Sequence, residues 1–403
     1  MNIWIFNHHA LTPDMSGGTR HYDFAKELVK RGHSVTIVAS SFHYSKYKEM
    51  KVYKEKDYLK EELDGVKFIW IQTPPYFSNG MSRVKNMLSY SHKVWKIIPR
   101  LNLETPDVII GSSVHLFAVY TAYKLAKKYK VPFIMEVRDI WPQTLIDMGV
   151  SKYHPFVLLL GVLEKFLYKR ADKIISNLPY AFEHIRNFTD EKKVEWISNG
   201  VDLSNNKYVE KEETKKFIVS YTGSIGIANN LQILINLAER LKAQKDIYFR
   251  IIGEGGEKKK LQNLVQAKKI NNIIIENAVK KADVVTILKE SDVLFLSLKD
   301  SPLYKFGISL NKLFDYMAAG RVVVFSGNPK NNPLYEADSG YVIEPDNIDK
   351  LETVILKIYD LSQSERNKQG AKIRKYVEEY YSIDVLTNKL ETLLLNQIKV
   401  YNA

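Results

Sequence analysis

The sequence predicts an α/β protein made of two Rossmann-like domains. Three observations predict it. The chain has 403 residues, too many for one ordinary core, so two domains of about 200 residues each are expected. Hydrophobic residues make up 45% of it, enough for a globular chain rather than a disordered one. Both halves alternate short apolar runs with helical patterns, the mark of βαβ units and a parallel sheet.

The elements follow in order. Asn2 to Phe6 is a short apolar run and reads as the first strand. Thr19 to Arg31 reads as a helix, because Ala25, Leu28 and Val29 share a face and Gly32 ends it. Further strands are expected at Ser34 to Ser40, Val66 to Thr73, Asp107 to Gly111, Val131 to Glu136, Lys173 to Asn177 and Val194 to Ser198. Asn199-Gly200-Val201-Asp202 and the polar stretch to Lys216 form the best linker. The second half repeats the theme. Strands are expected at Phe217 to Thr222, Ile247 to Ile252, Asn272 to Glu276, Val293 to Ser297 and Val322 to Ser326. Helices fit Asn230 to Ala243, Glu257 to Lys268, Asp283 to Glu290 and Lys312 to Ala319. The tail from Ile348 to Val400 reads as two or three amphipathic helices. The expected domains are 1–203 and 204–380, with 381–403 as a final helix.

Composition narrows the chemistry. There are no cysteines, which excludes disulfides and thiolate metal sites and fits a reducing cytoplasm. No basic n-region precedes the short apolar start, so no signal peptide is expected. No run approaches the roughly 20 apolar residues of a membrane span. The net charge is +13, which suggests an anionic partner. From Val66 to Leu103 there is no Asp or Glu, while Arg83, Lys85, Lys93 and Lys96 supply positive charge. Val84, Met87, Leu88, Ser91, Val94, Trp95 and Ile98 recur there at helical spacing. That pattern reads as a basic amphipathic helix with an interfacial tryptophan, at an acceptor or at an anionic membrane surface. An ordinary domain helix is the competing reading. Nucleic acid is not expected, because no recognised module is present. His8 and His9 have no third ligand at sensible spacing, so no metal site is expected.

The segment Gly307-Ile308-Ser309-Leu310-Asn311-Lys312-Leu313-Phe314-Asp315 is the most informative. It reads as a loop running into a helix capped by Ser309. The free N–H groups of such a first turn attract phosphate. Lys312 and Asp315, three residues apart, share a helix face; they suit the phosphate and ribose of a nucleoside diphosphate. Gly17 and Gly18 lie between the first strand and first helix and let a ligand approach backbone there. His21 follows on the first turn, could face the cleft, and is an expected catalytic residue together with Arg138, Asp139 and Lys312. The loop lacks the G-x-G-x-x-G dinucleotide spacing, which counts against an NAD-dependent oxidoreductase. Arg138 and Asp139 stand at the carboxyl end of a strand, where ligand sites concentrate. Gly223-Ser224 and Gly253-Glu254 form two further turns at strand ends.

Several of these segments together carry a resemblance: "GGTRHYDFAKELVKRGHSV", "EVRDIWPQ", "ISNGVDL", "YTGSIG", "IIGEGGEKKKL" and "SLNKLFDYMAAGRVVV". In their order and spacing the chain resembles glycosyltransferase family 4, the retaining sugar-nucleotide transferases, in the branch that builds O-antigen and capsule. The resemblance implies the GT-B fold, two Rossmann-like domains facing across a cleft, with the last helix crossing back to the first domain. It implies a nucleoside-diphosphate sugar donor, UDP-linked, and a lipid-linked or glycan acceptor. No further cofactor is implied. The expected place is the cytoplasm, peripheral at the membrane face. By position, Asp315 matches the ribose-binding acid of the family's Glu-x7-Glu motif, and Gly307 stands where the first Glu is expected. Ser224 and Asn229 stand where an Arg and a Lys usually meet the diphosphate. Lys312, Arg138 and helix amides are the expected replacements. Val279 falls where backbone contacts the base. A sugar-nucleotide epimerase of the same architecture, or a nucleotide-sugar binder with little turnover, remains an alternative.

Overall fold

The computed structural model describes every residue except 16, 78, 79, 114 and 205, and the side chains of all others except 281, 282 and 303. The chain divides into two compact units. One is Met1–Ser198 with Ile383–Ala403; the other is Asn199–Ser382.

The first unit contains strands β1 (Asn2–Phe6), β2 (Ser34–Ser40), β3 (Phe42–His43), β4 (Lys48–Glu49), β5 (Tyr58–Leu63), β6 (Val66–Ile71), β7 (Val108–Ser112), β8 (Phe133–Val137), β9 (Lys173–Ser176) and β10 (Val194–Trp196). Its helices are α1 (Arg20–Lys30), α2 (Met81–Ile97), α3 (Leu116–Tyr129), α4 (Gln143–Asp147), α5 (Pro155–Arg170) and α6 (Phe182–Ile185). Eight strands form one sheet in the order β10, β9, β8, β7, β1, β2, β6, β5. All pairs are parallel except β5 with β6. β1, β7 and β8 are buried along their whole length, because helices cover both faces of a parallel sheet.

Connections from β6 to β7, β7 to β8 and β8 to β9 all step the same way along the sheet. Right-handed crossovers therefore put α2, α3 and α5 in one layer, where α2 packs on α3 and α3 on α5. The step from β1 to β2 runs the other way, which puts α1 on the opposite face.

The layer corrects one expectation. In α2, Met87, Tyr90 and Val94 are buried, as is Ile98 just after it. Trp95 lies under Lys124 of α3, whose Nζ is 3.8 Å from the ring centroid. Part of the stripe expected to meet a membrane, Met87, Val94 and Ile98, thus faces the protein instead, while Leu88 stays exposed. Lys93 is also engaged, pairing with Asp57 at 3.0 Å.

The second unit holds β11 (Phe217–Thr222), β12 (Ile247–Ile252), β13 (Ile273–Glu276), β14 (Val293–Ser297), β15 (Val322–Ser326) and β16 (Tyr341–Ile343). They form a parallel sheet in the order β13, β12, β11, β14, β15, β16. Its helices are α7 (Gln232–Arg240), α8 (Lys258–Ala267), α9 (Lys281–Glu290), α10 (Asn311–Ala319), α11 (Pro333–Glu336), α12 (Ile348–Tyr359) and α13 (Gln363–Tyr380). α10 is held from two sides. Leu313, Phe314, Tyr316 and Met317 enter the core. Gly320 ends the helix in the left-handed conformation, φ 64°. At Gly370 of α13 a Cβ would lie 2.1 Å from the Gly320 carbonyl oxygen, so only glycine lets the two backbones approach this closely.

The chain then returns to the first unit as α14 (Ile383–Asn402). Its Leu386, Leu390 and Leu394 join that unit's core. Arg31 pairs with Asp384 at 2.5 Å and with Glu391 at 2.9 Å.

Candidate functional site

In the second unit the chain leaves β11 for β12 on one side and reaches β14 on the other. The carboxyl ends of these strands are therefore a topological switch point, where open α/β sheets bind ligands. Two glycine turns and the start of α10 meet there. Gly223 N–H bonds the Ile252 carbonyl at 2.9 Å, and Ile225 N–H bonds the Glu254 carbonyl at 2.8 Å. A Cβ on Gly253 would sit 1.8 Å from the Gly223 oxygen, so Gly253 serves the contact between the turns. The Glu254 carboxylate pairs with Lys258 at 2.7 Å. Gly223 and Ser224 are exposed.

Tyr316 fastens α10 to the end of β11. Its hydroxyl accepts from the Thr222 N–H at 2.7 Å and donates to the Thr222 carbonyl at 3.1 Å. This brings Lys312 over the first turn. Its Nζ donates to the Tyr221 hydroxyl at 2.5 Å and approaches Asn229 Oδ1 at 3.3 Å. It lies 4.4 Å from the Tyr221 ring centroid. A Cβ on Gly223 would be 2.8 Å from that ammonium, so the missing side chain leaves Lys312 its place. Among the described residues no carboxylate forms a salt bridge with it. Burial alone pushes its pKa down to about 8. An ammonium enclosed with neutral partners is a site for an anion.

The start of α10 differs from expectation. Leu310, not Ser309, is the N-cap residue, and it offers no side-chain bond. Ser309 is tied elsewhere: its Oγ accepts from the Asn199 N–H at 2.8 Å, and its carbonyl accepts from Asn199 Nδ2 at 2.6 Å. The first turn of α10 thus has no side-chain cap. Asn331 clamps Ile308, accepting from its N–H at 2.7 Å and donating to its carbonyl at 3.2 Å. Gly307 is buried at φ 91°. A glutamate would be strained in this conformation. Asn311 and Asp315 are partly exposed on α10, and Val279 is exposed in the loop after β13. A hollow of about 510 Å³ lies beside this loop system, lined by Ser301, Tyr304, Lys305, Asn328 and Lys330 among others.

In the first unit the switch point falls between β1 and β7. Glu136, buried at the end of β8, is the hub. It accepts from Arg20 Nε at 2.8 Å, His21 Nε2 at 2.5 Å and Ser112 Oγ at 2.5 Å. Burial raises its pKa, but His21 and Arg20 outweigh burial and hold it well below the usual range. His21 Nδ1 is 2.8 Å from Asn7 Nδ2. Both ring nitrogens are therefore engaged, and the ring is held against Glu136. Arg138 and Asp139 do not form a salt bridge with one another among the described residues. The Arg138 N–H donates to Ser113 Oγ at 3.0 Å, while its Nε is buried with no hydrogen-bond partner. Asp139 is exposed. Gly17 is exposed, with φ 138° and its Cβ direction blocked by Leu11 at 2.5 Å; Gly18 is partly exposed.

Sequence reasoning missed a polar cluster behind Arg138. His8 Nδ1 lies 2.7 Å from His115 Nε2, and His8 stacks between His9 and Tyr90 at 4.3 and 4.4 Å. Both ring nitrogens of His9, His8 Nε2 and the Tyr76 hydroxyl are buried with no hydrogen-bond partner. Burial first, then Arg83, His43 and Arg138, push His9 down to about 3. The signal was present as adjacent histidines at a strand end, set aside there because only metal binding was weighed.

The comparisons agree with this architecture. Residues 16–205 match the Glycosyltransferase Family 4 profile, and residues 204–398 match Glycosyl transferases group 1. WcaI of Escherichia coli K12, a protein assigned as a colanic acid biosynthesis glycosyl transferase, is 23% identical over 63% of this chain. The match spans 66% of that protein's length. Sucrose-phosphate synthase from Thermosynechococcus elongatus superposes with a TM-score of 0.75 at 13% identity, covering 99% of both chains. Anabaena HepE in complex with UDP-glucose gives 0.68 at 12% identity, covering 98% of this chain and 100% of its own.

Proposed function

Because the chain belongs to glycosyltransferase family 4, with a GT-B fold, we propose that it is a retaining transferase moving a hexosyl or N-acetylhexosaminyl group from a UDP-sugar. The acceptor is a lipid-linked or glycan hydroxyl in bacterial surface-polysaccharide synthesis, of the O-antigen or capsule kind. The observation that carries the donor reading is the Lys312 ammonium, held over the Gly223 turn at the uncapped start of α10. The UDP and UDP-glucose complexes of HepE and the colanic acid assignment of WcaI support it.

The physics is direct. As the glycosidic bond breaks, negative charge gathers on the departing diphosphate. Lys312, the α10 amides and the Ser224 N–H are fixed donors for that charge, which lowers the barrier. Asp315 accepts from the ribose hydroxyls. Retention without a positioned nucleophile suits front-face transfer, in which the leaving phosphate takes the acceptor proton. In the first unit Arg138, with its unpartnered Nε, is our candidate for the acceptor side of the reaction, and the Arg20–Glu136–His21 network holds its strand end in place.

Thermal-shift binding against UDP, GDP, dTDP, CMP, NAD and their sugar conjugates tests the reading. Stabilisation by one nucleoside diphosphate, lost in Lys312→Met and Asp315→Ala, is expected. A flat panel, or a response to NAD alone, would sink it. Product analysis with donor alone separates transfer from epimerisation.

A further inference from the structure

Four strand ends of the first unit gather polar side chains whose hydrogen bonds are incomplete. His8 and His9 follow β1, Tyr76 follows β6, His115 is the N-cap of α3 after β7, and Arg138 follows β8. Arg83 stands in the first turn of α2, its Cζ 5.9 Å from the centroid of the Tyr76 ring. All of them lie at the carboxyl edge of the sheet, around the switch point between β1 and β7.

The hydrogen bonds fix where the protons are. His115 Nδ1 accepts from the Ala118 N–H at 3.2 Å. A neutral imidazole carries one proton, so His115 holds it on Nε2 and donates it to His8 Nδ1 at 2.7 Å. His8 then carries its own proton on Nε2. Burial first, and then neighbouring histidines and Arg83, hold both rings well below the usual imidazole range, so both are neutral. The His8 Nε2–H is buried and finds no acceptor among the described residues. Arg138 Nε is a second buried donor in the same condition. The Tyr76 hydroxyl and both nitrogens of His9 are buried without partners as well, and each of these two side chains has one proton to give.

Buried polar groups are normally paired. Several orphaned donors at one strand edge, one of them fixed by a relay of two bonds, mark a place that a ligand completes. Its charge is set by the two guanidiniums. After burial, Arg83 and Arg138 both push His9 down, so both charges reach the cluster. Among the described residues, no carboxylate is among the charges that shift His8, His9 or His115. The buried Glu136 is already held by Arg20 and His21, and Asp139 is exposed. Arg83 and Arg138 are partly exposed, so the cluster reaches solvent through them.

We infer that His8, His9, Tyr76, Arg83 and Arg138 form an oxyanion pocket of the first unit, which takes a phosphate or carboxylate group. The His8 Nε2–H and Arg138 Nε–H are its fixed donors, and the guanidiniums supply the charge that such groups reward. A neutral hydroxyl leaves both positive charges uncompensated. On the transferase reading given above, the pocket belongs to the acceptor, which is then an anionic molecule such as a sugar phosphate or a uronic acid. Only this last step rests on that reading.

Binding of inorganic phosphate, glucose 1-phosphate, methyl glucuronide and neutral methyl glucoside tests the pocket. The protein is full-length Lys312→Met without nucleotide, so the cation of the donor site is absent and a response reports on the first unit. Melting curves and the histidine ring resonances are read together. A phosphate compound or the glucuronide should raise Tm and shift the ring signals of His8 and His9, and methyl glucoside should do neither. Which of the two anions binds tells phosphate from carboxylate, and either supports the pocket. Arg83→Met and Arg138→Met should each weaken that binding about tenfold or more. His9→Phe keeps a ring stacked on His8 and gives up no hydrogen bond. It should melt no lower than the parent, yet bind the anion about tenfold more weakly or worse. Lys165→Gln/Lys169→Gln, which removes two exposed charges from α5, should bind like the parent. The inference is overturned if no anion binds, if methyl glucoside binds as well as the anions, if the arginine variants bind like the parent, or if the α5 variant loses binding equally. Misfolding of one pocket variant shows in its melting curve and leaves the others decisive. A flat nucleotide panel leaves this result untouched, and a failed anion series leaves the donor reading standing.

Discussion

Replacing Lys312 with methionine should make the free protein more stable and the donor site inert. The pKa of Lys312 falls from 10.5 to about 8 on burial. At about 1.4 kcal/mol per pH unit, the fold penalises the ammonium by roughly 3 kcal/mol. Methionine keeps the stem and removes the charge. It also removes the bond to the Tyr221 hydroxyl, worth about 1 kcal/mol. The net gain at pH 7 is then roughly 2 kcal/mol, or a rise in Tm of about 4–8 °C. The pH dependence follows. Between about 8 and 10.5 the unfolded chain holds this proton and the fold does not, so wild-type stability rises with pH there. The gain from methionine should shrink across the same window. An anionic ligand requires the ammonium, so affinity for nucleoside diphosphate should fall up to about tenfold per pH unit above about 8. Calorimetry with and without UDP at several pH values measures all of this. A variant that melts lower at pH 7 yet keeps the UDP-induced shift would falsify the argument.

Four more outcomes are expected. Asp315→Ala should weaken nucleotide binding by about 1–3 kcal/mol in Kd, read by titration calorimetry. Arg138→Ala should reduce kcat in a radiolabelled-sugar transfer assay while stability stays within about 0.5 kcal/mol, because its Nε has no partner to lose. Glu136→Gln should cost about 3–5 kcal/mol in urea unfolding, because Arg20 is left buried without a counter-charge. The stability that Glu136 gives is present above its unfolded pKa of about 4.5 and lost as pH falls through its lower folded value; the variant should lack that acid-dependent loss. Gly253→Ala should destabilise the second unit and weaken donor binding together, since its Cβ would meet the Gly223 carbonyl oxygen at 1.8 Å; melting and titration on one sample would show whether the two effects separate.

The parallel strands were legible because full burial makes them nearly continuous apolar runs, as in β1, β7 and β15. β5 was missed because it alternates polar and apolar residues as an antiparallel edge. Yet Asp64-Gly65 announced its hairpin, both residues having positive φ, 49° and 76°. Lys312 was legible as a cation near phosphate-binding backbone. Its true neighbours were not, since Tyr221 and Asn229 are far away in sequence and meet it only through the sheet. Ser309 has the composition of an N-cap, but a tertiary bond to Asn199 outcompetes the local one. The α2 stripe had the period of a membrane helix because a domain helix has the same period. Periodicity shows that a face is apolar, not what covers it.

The last helix belongs to the first unit, and this sets an order of assembly during synthesis. Leu386, Leu390 and Leu394 complete a core whose other residues were made long before. Some 180 residues of the second unit intervene, a delay of about 10–40 s at ordinary elongation rates. Throughout that interval the nascent first unit presents an open apolar seam along α1, and Arg31 waits for its carboxylates. The beginning of the chain is thus the last part to be finished, and any fusion or truncation near residue 383 acts on the fold of residue 31.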